Sequence, residues 1–278
     1  MSISASLSNF QIPKIMGILN LTEDSFSDGG YFLAPSAAIA HAEKLIKEGA
    51  DLLDIGAEST RPGSKPVPVE LEWQRIEPVL EALKEKHPAV IISIDTQKAE
   101  VAEKAIARGA DLINDISALR YDPKMVQLLA SHPQIKVILM HMQGRPETMQ
   151  IEPHYADVLA EVKAFLQERA DYAISQGIAQ ERIVIDPGIG FGKNLDHNLT
   201  LLAELESLRD LGFPVLLGAS RKRFIDQLSP SPVEQRMGGS LAITMLACLS
   251  RIEFIRVHDV QLHRQFLDVL SAIYRAGA

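Results

Sequence analysis

The chain has 278 residues and a formal net charge of -8. This acidic balance argues against a general affinity for nucleic acid, because a phosphate backbone requires a basic face on its partner. The single cysteine, Cys248, excludes an internal disulfide framework and a cysteine-based zinc cluster. A reducing compartment is therefore favoured, and we expect a cytoplasmic protein.

Apolar runs alternate evenly with helical patterns and no linker interrupts them, which predicts one domain over residues 12–278. Residues 1–11 are rich in serine and lack the basic and apolar regions of a secretory signal, so we expect a flexible tail. The most apolar stretch, Leu241–Leu249, is too short to cross a membrane. No membrane partner is expected.

Eight apolar runs predict strands, and helical spacing follows almost every one. The predicted strands cover residues 15–19, 52–55, 90–94, 112–113, 136–140, 182–185, 215–217 and 254–257. The predicted helices cover residues 36–48, 69–86, 99–107, 123–130, 155–176, 199–208, 233–250 and 260–274. This alternation favours a closed (β/α)8 barrel, the TIM barrel, with an open doubly wound sheet as the alternative.

Polar side chains follow nearly every predicted strand. In a closed barrel all strand exits face one rim, so these residues would form a single site. They are Asn20, Thr60, Arg61, Asp95, Asn114, His141, Asp186, Lys222, Arg256 and His258.

Three of these residues supply hydrogen-bond acceptors close to the expected barrel axis. Asp95 and Asp186 carry carboxylates, and Asn114 adds an amide that both donates and accepts. Because buried carboxylates without partners are costly, we expect a flat ligand rich in N–H donors, such as an aminopyrimidine ring. The alternative is that each aspartate only caps the helix that follows it.

Donors and positive charge lie on neighbouring exits, at Thr60, Arg61, Arg256 and His258. Arginine suits bidentate contact with phosphate oxygens, and barrels often hold phosphate near strands seven and eight. We therefore expect an anionic leaving group at these exits. The alternative is that the arginines pair with acidic residues of adjacent loops.

The histidines show no zinc-ligand spacing, so a catalytic zinc is not expected. Asn20, Asp24 and Asp28 instead offer hard oxygen ligands. A magnesium ion that bridges to a diphosphate needs only one or two such ligands.

The stretch Asp186–Lys193 is rich in glycine but matches neither common nucleotide-binding motif. We interpret it as a tight turn that lets the backbone approach the plane of a ligand. Ser220 lacks the following glycine that a nucleophile elbow requires, so no acyl-enzyme is indicated.

Taken together, these motifs resemble those of the dihydropteroate synthases, from about Ile15 to the end of the chain. The matching stretches are 16–20, 24–30, 58–63, 94–96, 113–115, 140–144, 186–188, 220–222 and 256–259. Several motifs in the right order make the resemblance specific.

The resemblance implies that 6-hydroxymethyl-7,8-dihydropterin diphosphate condenses with 4-aminobenzoate to give 7,8-dihydropteroate and diphosphate in folate synthesis. It also implies inhibition by sulfonamides at the aminobenzoate site, a Mg²⁺ cofactor and a homodimer. Because the predicted site residues include charge-stabilising groups but no activated nucleophile, our hypothesis is that diphosphate leaves first and that the aromatic amine then attacks a cation delocalised into the pterin ring.

The resemblance also assigns roles by position. The pterin residues would be Asp95, Asn114, Met140, Asp186, Lys222 and Arg256. Those at the diphosphate would be Asn20, Arg61, Arg256 and His258, with Asn20 binding Mg²⁺. Those at 4-aminobenzoate would be Phe26, Thr60, Arg61, Pro62, Phe191, Ser220 and Lys222. The residues expected to act in catalysis are Asp28, Arg61, Lys222 and Asp95.

Two other functions stay open at this point. One is a pterin-binding or methyltetrahydrofolate-binding methyltransferase domain, and the other is a non-catalytic pterin-binding homologue. Separately, the helix over Ser240–Leu249 is apolar nearly all round, which indicates cover on both sides. A second subunit is the preferred cover, and the chain's own terminal helix is the alternative.

Overall fold

The computed structural model describes residues 10–22, 35–59 and 63–277. In these ranges eight strands form one parallel sheet, which pairs in the order β6-β5-β4-β3-β2-β1-β8-β7. The strands are β1 (Lys14–Asn20), β2 (Leu52–Gly56), β3 (Ile91–Asp95), β4 (Leu112–Asp115), β5 (Lys136–Met140), β6 (Ile183–Asp186), β7 (Leu216–Leu217) and β8 (Phe254–Val257).

The sheet closes on itself between β6 and β7. Ile185 pairs with Val215 through an isolated parallel bridge, and the Ile185 amide donates to the Pro214 carbonyl oxygen at 2.9 Å. This closure confirms the predicted (β/α)8 barrel, and the open sheet is wrong.

Nine α-helices follow the strands within the described ranges. They are α1 (Pro35–Lys47), α2 (Val69–Lys86), α3 (Ala99–Ala107), α4 (Lys124–Ser131), α5 (Val158–Ser175), α6 (Leu195–Ala203), α7 (Arg223–Leu228), α8 (Met237–Leu249) and α9 (Val260–Gly277). Short 3-10 turns lie at Gln180–Arg182, Leu205–Leu211 and Val233–Gln235.

Several helices differ from the sequence prediction for local reasons. Helix α6 begins at Leu195, four residues early, because the Asn194 side chain caps it by accepting the His197 amide. The helix predicted over 233–250 is a 3-10 turn followed by α8. The short helix α7 was not predicted.

Side chains on the strands alternate between two apolar regions, as the twofold period of a strand requires. Outward residues such as Leu53 and Ile55 pack in the large core between the barrel and its helices. Inward residues form a separate layer that plugs the amino-terminal end of the barrel. This plug consists of Met16, Leu52, Leu112, Ile138, Val184 and Leu216, with Phe254 packed against it.

The next inward layer lies two residues further along each strand, and it is mostly polar. Asp54 follows Leu52, Asn114 follows Leu112, Asp186 follows Val184 and Arg256 follows Phe254. The plug therefore forms the floor of the barrel, and chemistry-bearing side chains lie directly above it.

The end of the predicted tail is packed against the barrel's helices. The Gln11 amide donates to the Cys248 carbonyl oxygen at 3.2 Å, and the Phe10 ring lies 5.4 Å from that of Tyr274.

Burial raises the pKa of the Cys248 thiol to about 12. Of the helices described, none is both long and apolar enough to cross a membrane.

Candidate active site

A buried ion-pair cluster lies at the centre of the polar layer. The Arg256 guanidinium donates from Nε to Asp54 Oδ2 at 2.5 Å and from Nη2 to Asp95 Oδ2 at 3.0 Å. These contacts join β8 to β2 and β3 across the barrel interior. The predicted neighbours Asp95 and Arg256 therefore lie together, and the acidic partners of Arg256 lie on strands rather than on the adjacent loops that the alternative named.

Asp54 was not among the predicted site residues. It is fully buried, and it also accepts hydrogen bonds from Ser93 Oγ at 2.5 Å and from Asn114 Nδ2 at 3.1 Å. Its twofold register with Leu52 in the plug was the available signal. Asp54 was not recognised from the sequence because it interrupts an apolar run, Leu52–Ile55, that was interpreted as core.

The two carboxylates at Arg256 share one guanidinium. Burial, and after it the negative charge of Asp54, raise the pKa of Asp95 to about 7. Arg256 opposes this shift but does not cancel it. Asp95 is therefore poised near neutral pH, so ionising it costs the folded protein free energy.

Asp186 lies at the end of β6, where it pairs in register with Met140 of β5. Its carboxylate accepts the Gly188 amide at 2.7 Å, and burial raises its pKa to about 6. Asp95 makes no comparable bond to the helix that follows it, because α3 begins after Lys98 without a side-chain cap. Helix capping thus does not explain Asp95.

Lys222 and Phe191 lie together on one side of the site. The Lys222 ammonium lies 4.0 Å from the centre of the Phe191 ring, which is a cation–π contact. Burial and the nearby Arg256 lower the pKa of Lys222 to about 8. The contact between Lys222 and Phe191 agrees with the prediction that both residues lie at one substrate, 4-aminobenzoate.

An apolar wall adjoins the polar layer at Met140. It consists of Ile116, Met140, Met142, Met149 and Phe191, which pack as a small separate cluster. Polarisable methionine side chains adapt to the face of a flat ring. Acceptors beside an apolar wall suit an N–H-rich heterocycle.

A buried lysine, absent from the sequence predictions, fixes the glycine-rich loop. Lys193 Nζ bonds His141 Nδ1 at 2.8 Å and donates to the carbonyl oxygens of Gly188 and Phe191, both at 3.0 Å. Burial lowers the pKa of His141 to about 2, so His141 receives this bond as a neutral ring. The His141 ring also packs edge-on against Phe165 of α5.

The glycines of this loop are needed for contact with the protein's own backbone. A Cβ atom at Gly188 (φ +64°) would lie 1.9 Å from the His141 carbonyl oxygen, and one at Gly192 would lie 2.6 Å from that of Gln143. The tight turn is present. In the described structure, however, the atoms that require glycine belong to the β5 exit rather than to a ligand plane.

Asn20, Ser220 and His258 form the rim of the site beside β1 and β8. His258 Nδ1 lies 3.2 Å from Ser220 Oγ, and Asn20 and His258 line one cavity of about 510 Å³. Burial, with Arg256 and Arg221 nearby, lowers the pKa of His258 to about 3. His258 therefore offers hydrogen bonds at neutral pH and not the positive charge that the sequence analysis expected.

Six predicted residues lie outside the described residues: Asp24, Phe26, Asp28, Thr60, Arg61 and Pro62. Their roles stay predictions. The ends of the loop after β2, on either side of residues 60–62, are described. Glu58 accepts the Val67 amide at 2.7 Å and a bond from Lys98 Nζ at 2.5 Å, and Lys98 also donates to the Val67 carbonyl oxygen at 2.7 Å.

Comparison with known proteins adds to this geometry. A family model described as "Pterin binding enzyme" matches residues 16–258. The dihydropteroate synthase of Neisseria meningitidis serogroup B is 48% identical over 267 residues, which cover 94% of this chain and 93% of that protein.

Solved structures give the same result. Xanthomonas albilineans dihydropteroate synthase with 4-aminobenzoic acid has a TM-score of 0.87 at 48% identity, over 94% of this chain and 93% of that one. The same enzyme with 7,8-dihydropteroate has a TM-score of 0.84 at 45% identity and the same coverage. A sulfonamide complex of the Yersinia pestis enzyme has a TM-score of 0.89 at 42% identity, over 94% of each chain.

We predict that Asp95→Asn stabilises the protein at pH 8 more than at pH 5. The pKa of Asp95 in the folded protein, about 7, lies above the ordinary aspartate pKa of 3.8, so the stability contributed by its protonated carboxyl is lost as pH rises between these values. The difference between the two pH values should be about 1–3 kcal/mol in the free energy of unfolding. Urea unfolding of both proteins at each pH measures it. An equal effect at both pH values would contradict the prediction.

Proposed function

The chain belongs to the dihydropteroate synthase family, and we propose that it condenses 6-hydroxymethyl-7,8-dihydropterin diphosphate with 4-aminobenzoate. The products are 7,8-dihydropteroate and diphosphate, and the reaction belongs to folate synthesis. The observation that carries the proposal is the buried layer of acceptors above the barrel plug, with Asp95, Asn114 and Asp186 at its centre. Nearly full-length similarity to dihydropteroate synthases supports it.

The pterin would bind in this layer. Its amino and ring N–H groups would donate to Asp95, Asp186 and the Asn114 amide oxygen, replacing water as the partner of groups that burial disfavours. Met140 would pack on one face of the ring, next to the apolar wall. Lys222 and Arg256 would complete the pocket.

The diphosphate would lie at the rim, near Asn20 and His258, and Arg61 remains a predicted ligand of it. His258 is neutral in the ligand-free protein, so it would contribute a hydrogen bond, while the arginines would supply charge. Ser220 lies within hydrogen-bond distance of His258, but an imidazole with so low a pKa is a weak base. This supports a reaction without a serine nucleophile.

Catalysis would therefore depend on positioning and electrostatics. The bond between the pterin methylene carbon and the diphosphate oxygen breaks, and its electron pair leaves with diphosphate. The buried carboxylates stabilise the resulting cation, with Asp28 as a further candidate. The amine nitrogen then forms the new C–N bond and releases one proton.

The 4-aminobenzoate would bind beside Phe191 and Lys222, whose contact provides an aromatic face and a positive charge. Ser220 and the undescribed residues Phe26, Thr60, Arg61 and Pro62 would complete its pocket. We propose that sulfonamides compete here, since the similar Yersinia pestis enzyme is known in a sulfonamide complex.

The requirement for both substrates tests the function. We expect diphosphate release only when pterin diphosphate and 4-aminobenzoate are both present, with 7,8-dihydropteroate formed in equal amount. Chromatography of the product and a coupled diphosphate assay measure both. A methyltransferase domain would bind pterin without needing a diphosphate. A non-catalytic homologue would bind pterin diphosphate without releasing diphosphate from it. Either outcome would overturn the proposal.

A magnesium ion fits the rim. Within residues 10–22, 35–59 and 63–277, no group of three or more acidic, histidine or cysteine side chains could hold a metal alone. Mg²⁺ needs few protein ligands when phosphate oxygens and water complete its shell, and the Asn20 amide oxygen is such a ligand. When bound, the ion would neutralise charge on the diphosphate.

We predict that Asn20→Ala raises the Mg²⁺ concentration needed for half-maximal activity by about tenfold, the effect of losing one ligand of a metal bound mainly by substrate. A matched control is Asn194→Ala, which removes the cap of α6 outside the site and should leave the Mg²⁺ requirement unchanged. Activity titrated with Mg²⁺ at saturating substrates measures both. An unchanged requirement in Asn20→Ala would exclude Asn20 as the ligand.

A homodimer agrees with the apolar surface of the last two helices. Helices α8 and α9 pack together, yet Leu249 on α8 remains 42% exposed, and Val269 and Ile273 on α9 are each 55% exposed. The terminal helix thus covers α8 only in part. We also propose a cytoplasmic location, for which the single buried free cysteine is the support, and one catalytic domain over residues 12–278.

We predict that Leu249→Glu converts a dimer to a monomer at micromolar concentration, because a buried unpaired carboxylate at the interface is costly. The control Ile174→Glu replaces a similarly exposed residue of α5 (38%) and should remain dimeric. Sedimentation velocity distinguishes the species. A monomeric unmodified protein at that concentration would contradict the dimer.

A further inference from the structure

We propose that Asp54 is a positioning residue for the pterin site, which orients Arg256 and selects the end of the Asn114 amide that a ligand meets. The proposal rests on the proposed function, because it names the pterin as the ligand of these residues. No role for Asp54 follows from the motifs of the sequence.

Burial separates Asp54 from the residues that a ligand can touch. Its side chain is 0% exposed, whereas those of Asp95 and Arg256 are 11% and 20% exposed. Asp54 sits one step above the apolar plug, on the inward face of β2. It therefore acts through its neighbours and not by contact with substrate.

The Asp54 carboxylate has three partners, each on a different strand. Oδ1 accepts from Ser93 Oγ on β3, while Oδ2 accepts from Asn114 Nδ2 on β4 and Arg256 Nε on β8. A buried carboxylate with this many donors is well satisfied. Strands β2, β3, β4 and β8 are thereby joined inside the barrel.

The bond to Asn114 has a consequence for recognition. An ionised carboxylate can only accept hydrogen bonds, so it must face the NH₂ group of the amide. The Asn114 oxygen is then left as the acceptor for another group. Without Asp54 the amide could rotate and present a donor, which would repel the N–H groups of an aminopyrimidine.

The bond to Arg256 sets both geometry and charge. With Nε held by Asp54, Nη2 reaches Asp95. The charged groups that act on Asp95 are Asp54 and Glu58 from β2 and its exit, Arg256 from β8 and Glu72 from α2, and Asp95 in turn interacts with Lys222. Among them, Asp54 makes the largest charge contribution to the raised Asp95 pKa.

The experiment compares Asp54→Asn with the unmodified protein. We expect the dissociation constant for pterin diphosphate, measured by calorimetry, to rise about tenfold or more, the effect of disordering two polar contacts. The KM for 4-aminobenzoate at saturating pterin diphosphate should change by less than about twofold. Binding and turnover by the unmodified protein test the proposed function separately.

A pH titration gives a readout that a merely structural role would not move. Loss of the Asp54 charge removes a negative neighbour of Asp95, so the Asp95 pKa should fall. The acid-side midpoint of pterin affinity should shift to lower pH by about one unit. Comparing the variant with the unmodified protein cancels the ligand's own titration.

Asp115→Asn is the matched control. Asp115 is also fully buried, but its carboxylate accepts bonds from the Ser117 and Leu119 amides, in the loop after β4. We expect this variant to lose thermal stability and to keep its pterin affinity within about twofold. If the loss of affinity came only from removing a buried carboxylate, Asp54→Asn and Asp115→Asn would weaken pterin binding equally.

The double variant Asp54→Asn/Arg256→Gln covers the case in which Asp54→Asn does not fold, because it removes both members of the ion pair together. It should bind pterin diphosphate less than about tenfold more weakly than Arg256→Gln alone, because the route through Arg256 is already lost and only the contact with Asn114 remains. Fully additive losses, an unchanged affinity in Asp54→Asn, or an unmoved pH midpoint would each overturn the proposal.

Discussion

The site depends on the presence of acidic groups inside a closed barrel. Asp54, Asp95 and Asp186 lie above an apolar plug, and only a few cations accompany them. Burial alone disfavours their charges, which is why the pKa values of Asp95 and Asp186 are raised. A ligand rich in N–H groups relieves this condition, so the same feature that costs stability prepares the protein for binding.

Two buried lysines hold the loops around this layer. Lys193 joins the β6 loop to the exit of β5 through backbone carbonyl oxygens and His141. Lys98 joins the two ends of the loop after β2 through Glu58 and the Val67 carbonyl oxygen. In both places one ammonium group satisfies several acceptors at once. The loop stems are thus fixed to the barrel, although the loops carry the polar chemistry.

Much of the fold could be predicted from the sequence, because each apolar run and its following helix carry their own period. The closed barrel was predicted only from the count of eight strand–helix units, and the bridge between Ile185 and Val215 that closes it is recorded by no local pattern. The start of α6 was missed for a local reason, the cap at Asn194.

The candidate site was predicted best where polar residues end a strand, as at Asp95, Asn114 and Asp186. It was predicted least where a polar residue lies within an apolar run or carries out a structural task. Asp54 is the first case and Lys193 is the second. The charge of His258 was misjudged because burial and neighbouring arginines, which set it, are properties of the assembled rim.

The plug of inward apolar residues fills the amino-terminal end of the barrel, so a ligand of the polar layer enters from the carboxyl-terminal ends of the strands. Whatever rests on the deepest layer must have arrived before anything placed above it, and it can depart only after the space above has cleared. In a reaction that joins two molecules end to end, the heterocycle would be first in and last out.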